Sequence, residues 1–159
     1  MLGRREWIDV ALREIGVAEI PGGEHNPRII EYHAATTLKA TSDEISWCSS
    51  FLNWVFLQVG IRGTGSAAAA TWLFWGREIL RPAFGAVVVL ERVAARSAYE
   101  GLRAGQKEYP PAHVGLVIRD EGEWIAVLGG NQGNRVKVSR FLKARVLGYR
   151  WPAGGDDAA

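Results

Sequence analysis

The sequence predicts an α+β fold: N-terminal helices packed on a mostly antiparallel sheet of about five strands. Three observations predict it. Up to about residue 75 the apolar residues recur at helical spacing. Beyond residue 84 they fall into short β-branched runs separated by turn residues. The helical segments precede the strands instead of alternating with them, which argues against a parallel βαβ sheet. The 159 residues are read as one domain over 1–152, with 153–159 as a frayed tail.

Trp7, Ile8, Val10, Ala11, Leu12 and Ile15 lie on one helical face, and Gly16 stops that helix. "EIPGGEHNPR" is a loop, "RIIEYHAAT" a second short helix and "TLKATSDEIS" a polar turn. In "ISWCSSFLNWVF", Phe51, Leu52, Val55, Phe56 and Val59 form the broad apolar face of a third helix, ended by Gly60. Its start is marked by Ser46, or by Thr41 and Glu44 as a capping box. "GTGSAAAATWLFWG" is a loop leading into a short helix with Trp72 and Trp75 on one side. The strands are "GAVVVLE", "HVGLVIRD", "EWIAVLGGN", "NRVKVSRF" and a short "VLGYRWP". Residues 92–112 interrupt this series and are long against the ~2–5 residues of a usual hairpin loop. Ala94, Ala95, Ala98, Tyr99 and Leu102 within it have helical spacing. The excursion reads as a lid, a partner-binding segment or a surface insertion without a role.

Composition narrows the function classes. A formal net charge of +2, with no basic stripe interleaved with aromatics, argues against a nucleic-acid partner. No run approaches the ~18 apolar residues of a membrane span, so no membrane role is expected. The first residues carry acids and contain no secretory h-region, so the chain is expected to be made in the cytoplasm. A single cysteine leaves no intrachain disulfide, and no Cys/His spacing suggests a metal; no cofactor is expected.

That cysteine, Cys48, carries the chemical question. It lies three and four residues before Phe51 and Leu52 and so shares their apolar face, as a buried structural cysteine would. It also falls in the first turn of the third helix. There the helix dipole favours a thiolate, and free N–H groups are available to an oxyanion. Of three histidines, His25 in a Gly/Pro loop and His33 on a short helix read as solvated or core-satisfied. His113 opens a strand, where a polar side chain meets a cleft, and is the candidate general base. An amide suffices to orient its ring. Asn131, at the end of the antiparallel neighbour, is the first candidate, and Gln132, on the opposite face, the second. Trp47, Trp72, Trp75 and Gln132 are candidates for binding substrate, with core packing the default use of each tryptophan. Asp43 and Glu44 are read as complementing the helix dipole, and Ser49–Ser50 as helping the helix start.

Several motifs in one order, "EIPG", "NPRIIEYH", "SDEISWCSSFLNW", "GTGSAAAATWLFWG", "HVGLVI" and "VLGGNQGN", resemble a group within the NlpC/P60–CHAP superfamily. These are papain-like cysteine hydrolases, many acting on peptidoglycan peptides, found in phage lysins and in secreted bacterial toxins. The resemblance spans about residues 14–151. It implies a papain-like fold, a peptidoglycan-peptide substrate, and Cys48 as nucleophile, His113 as base and Asn131 as orienter. It also implies action in the periplasm or cell wall, and the lack of a signal peptide favours delivery there by holin, phage tail or contractile apparatus over ordinary secretion. A toxin of this kind would have an inhibitor (immunity) protein as partner, and residues 92–112 are one place for it to grip. Two residues depart from the group's pattern: Ala86 follows Gly85 where Asp is usual, and Ala112 precedes the histidine where Gly is usual.

Overall fold

A computed structural model describes residues 6–154; 155–159 of the expected tail lie outside the described residues. Three α-helices come first: α1 (Glu6–Arg13), α2 (Pro27–His33) and α3 (Cys48–Gln58). A 3₁₀ segment (Ala69–Phe74) leads into β1 (Arg77–Ile79), β2 (Val87–Glu91), β3 (Ala112–Glu121), β4 (Trp124–Gly129), β5 (Lys137–Leu142) and β6 (Val146–Trp151). The protein is thus α+β, with one six-stranded sheet in the order β1-β6-β2-β3-β4-β5, every neighbouring pair antiparallel. The strand beyond the expected five is β1. Its three residues pair with Tyr149–Trp151 and are too few to show an alternating pattern.

Helix α3 is the axle of the fold. It packs on β3 and β4, with α1 and α2 against its other sides. Cys48, Phe51, Leu52, Val55 and Phe56 are all buried, and each large apolar side chain contributes about 1.5–3 kcal/mol by leaving water. Ser49, Ser50 and Asn53 of α3 are buried as well, which an apolar-face pattern does not anticipate. Each has a partner. Ser49 Oγ donates to Ser66 O (2.7 Å) and accepts from Trp72 Nε1 (2.9 Å). Asn53 Nδ2 donates to Ser49 O (3.0 Å), and its Oδ1 accepts from Gly65 N (2.8 Å). Ser50 Oγ meets His33 Nδ1 at 2.8 Å. Ser49 and Ser50 therefore brace neighbouring segments; the helix start is not their task. Residue 63 must be glycine here, because a Cβ would stand 2.3 Å from Asn53 Oδ1.

The aromatic residues knit the helices to the sheet. Trp7 packs on Phe56 and Trp151, at ring separations of 5.6 and 5.4 Å, and donates from Nε1 to Gly85 O. The β3–β4 hairpin closes through Gly122 and Glu123, with Gly122 at φ +86° as such a two-residue turn requires. Residues 92–111 form no α-helix; a single 3₁₀ turn spans Arg96–Tyr99. Tyr99 clips the base of this excursion: its hydroxyl donates to Pro111 O and accepts from Arg92 N. Ala94, Ala95 and Ala98 are too small and exposed to gain much by packing as a helix face.

Candidate active site

Trp47 precedes the first turn of α3 without a side-chain cap, so neither Ser46 nor the Thr41/Glu44 pair caps this helix. Cys48 is its first residue. Its N–H belongs to the first turn, which has no acceptor within the helix. Cys48 lines a groove together with Ser46, Ala68, Arg92 and Pro111. The residue is only 2% exposed, yet it lines that opening.

His113, second residue of β3, stands close enough to Cys48 for ring and thiol to act on each other's charge state. Burial pushes the Cys48 thiol up, but the hydrogen bond and charge of His113, the Val114 backbone and Ser46 outweigh it, and the thiol lies below its ordinary value. Burial pushes His113 down; Cys48 and Gln132 outweigh that and raise it, against the opposing charge of Arg92. Both directions favour a thiolate–imidazolium pair.

Gln132 orients the ring. Its Oε1 accepts from His113 Nε2 at 2.9 Å. Its Nε2 donates to Val127 O (3.0 Å) and Lys137 O (2.8 Å). Two carbonyls on the amide nitrogen leave the oxygen no choice but to face the imidazole. The ring must then carry its proton on Nε2, which leaves Nδ1 for the sulfur.

Asn131, the first candidate for this position, does not take it. Leu116 pairs with Leu128, so continued register would set Asn131 opposite His113. But β4 ends at Gly129, and Asn131 adopts φ +58°, in the left-handed region. The chain turns there, and the next residue folds back under the strand. Two glycines make room. A Cβ on Gly129 would lie 2.3 Å from Gln132 Oε1 and 3.3 Å from His113 Nε2, and one on Gly130 would lie 2.7 Å from Phe51 Cβ. The run "LGGNQ" held the signal: paired glycines before an amide mark a close backbone approach.

Of the three tryptophans, Trp47 and Trp72 are completely buried and line no groove. Trp47 stacks on Tyr32 at 5.9 Å and donates to Glu19 Oε1; Trp72 donates to Ser49. Half-buried Trp75 lines a hollow of about 400 Å³ with Phe74 and Tyr109, and Tyr109 also borders the groove at Cys48. Asp43 is also corrected. It is fully buried and accepts from Ile20 N and Asn26 N and from His25, organising the 20–26 loop and not the dipole of α3. His33 is a core histidine, held by Ser50 and by Ser42 O.

The groove continues past His113. Ser46 and Arg92 line both the Cys48 end, about 180 Å³, and a larger end of about 310 Å³ that includes His113, Gln132, Lys137 and Arg145. Asn131 lines the larger end, so it borders the groove without touching the ring. Comparison with family models, with curated proteins and with solved structures found no match to this chain.

Proposed function

We propose that this protein is a cysteine hydrolase that cleaves amide bonds in peptidoglycan peptides through an acyl-enzyme, on a papain-like fold of the NlpC/P60–CHAP type. The observation that carries the reading is the chain of interactions Cys48–His113–Gln132 along an open groove, with Cys48 at a helix N-terminus.

In this mechanism the Cys48 thiolate attacks the amide carbonyl carbon. The Cys48 N–H, at the start of α3, donates to the tetrahedral oxyanion. The His113 imidazolium gives its Nδ1 proton to the departing amine, while Gln132 keeps the ring from rotating. The same nitrogen then takes a proton from water, which attacks the thioester and releases the acid. Because the groove opens beside Cys48 at one end and beside His113 at the other, water has a route to the acyl-enzyme. The choice of peptidoglycan over other amides rests on the motif resemblance. The expected cellular setting follows from it too: periplasm or cell wall, with an inhibitor protein where the enzyme serves as a toxin.

The test is mass spectrometry of purified peptidoglycan fragments incubated with reduced protein, wild type against Cys48→Ala. The expected result is new amine and carboxyl termini with the wild type alone. Products carrying an added amine in place of water would convert the reading to an acyltransferase. Intact fragments with a folded, reduced wild type would reject catalysis on this substrate, and wall binding that survives Cys48→Ala would point to a non-catalytic attachment module.

A further inference from the structure

The larger end of the groove is lined by cations. Arg92, Lys137 and Arg145 line it, and among the described residues no aspartate or glutamate does. Among the described residues, no carboxylate pairs with any of the three. The structure fixes the guanidinium of Arg145 and the backbones of Lys137 and Arg92. Arg145 donates Nε and Nη2 to Glu91 O (3.2 and 2.8 Å) and lies 5.3 Å over the Phe141 ring, which uses part of its fork and leaves other N–H groups unspent. The carbonyl of Lys137 accepts from Gln132, so this cation rides on the residue that orients His113. The N–H of Arg92 is clipped to Tyr99.

The position of this end relative to the reaction follows from the lining. His113 borders it and Cys48 does not, whereas Cys48 borders the smaller end and His113 does not. The imidazolium hands its proton to the leaving nitrogen, so the amine fragment departs on the His113 side. Three cations in a concave site suit a planar anion that an arginine fork can grip. A volume of about 310 Å³ holds an amino-acid-sized unit.

We propose that this cationic end is a subsite for a free carboxylate on the leaving-amine side of the scissile bond, gripped by Arg92, Lys137 and Arg145. The assignment of side rests on the hydrolase reading; the carboxylate preference itself does not. The subsite selects amine fragments that are amino acids with unmasked carboxyl groups and discriminates against the same fragments as carboxamides. It also aids the chemistry: a carboxylate on Arg92 offsets the charge that opposes protonation of His113.

The experiment uses one tripeptide, L-alanyl-γ-D-glutamyl-meso-diaminopimelate, with the diaminopimelate carboxyls free or amidated. Cleavage is followed with the wild type, and binding with Cys48→Ala by calorimetry. The free acid is expected to be favoured about tenfold to a hundredfold, the range for a charge-assisted contact. The difference should lie in KM and binding more than in kcat, and should shrink in high salt. Lys137→Met and Arg92→Gln, checked for native circular dichroism, should each erase most of the preference. Cleavage of both forms at equal kcat/KM overturns the subsite and leaves the hydrolase standing. Preferential binding of the acid to Cys48→Ala without turnover by the wild type supports the subsite and rejects the hydrolase. Equal binding of acid and amide overturns the subsite whatever the turnover.

Discussion

Replacing Gln132 by alanine isolates the choice of orienter. The side chain is 5% exposed and makes three hydrogen bonds, to His113 Nε2, Val127 O and Lys137 O. In the proposed reaction the first is a bond to a charged ring, worth about 1.5–3 kcal/mol. Losing it predicts a fall in kcat/KM of roughly 10- to 150-fold, at about 1.4 kcal/mol per factor of ten. The other two bonds, at about 1 kcal/mol each, predict a stability loss of about 2 kcal/mol. A substrate-independent assay is the rate of Cys48 alkylation by iodoacetamide against pH. The thiolate–imidazolium pair exists above the depressed value of Cys48 and below the raised value of His113. Gln132 helps raise His113, so Gln132→Ala should pull the upper limb of that window to lower pH. Asn131→Gly, which keeps the left-handed backbone and does not touch the ring, should leave the profile in place. A Gln132→Ala profile superimposable on the wild type in a folded protein, or an Asn131→Gly profile shifted as far, would refute the assignment.

Other expectations follow from the same contacts. Gly129→Ala should reduce activity about as much as Gln132→Ala, because its Cβ would occupy the place of Gln132 Oε1, whereas Gly23→Ala meets no neighbour and should be silent in a peptide-cleavage assay. Trp47→Ala should lower unfolding free energy in urea by about 3–5 kcal/mol, as for a core aromatic; a change confined to KM would restore the groove-lining reading. Backbone N–H groups and His25 hold Asp43 below the usual carboxylate range against the opposing push of burial. Its stabilisation is thus complete above the unfolded carboxylate value and lost as pH falls through the depressed folded one. Asp43→Asn should therefore lower Tm at neutral pH, with the gap to wild type closing in acid; a gap independent of pH would contradict the role given to this charge.

How much of this was legible in the residues depends on the range over which each signal acts. Periodicity is local, so the three helices, the five longer strands and the placing of Cys48 in a first turn and His113 at a strand start could be read directly. Local pattern thereby set the order of elements and singled out Cys48 and His113 as the pair worth bringing together. What surrounds them depends on packing between distant segments. Alternation along a strand assigns Asn131 to the histidine's face, but it holds only while the strand lasts, and β4 stops at Gly129. A left-handed residue between paired glycines then re-aims the chain, and Gln132 arrives by folding back. Trp47 and Trp72 take the core role their size favours, and Asp43 turns away from the helix dipole, for a similar reason. Their partners, Glu19, Ser49 and the 20–26 backbone, lie 17 to 28 residues away, and no local pattern reports which distant donor or acceptor a buried polar atom will find.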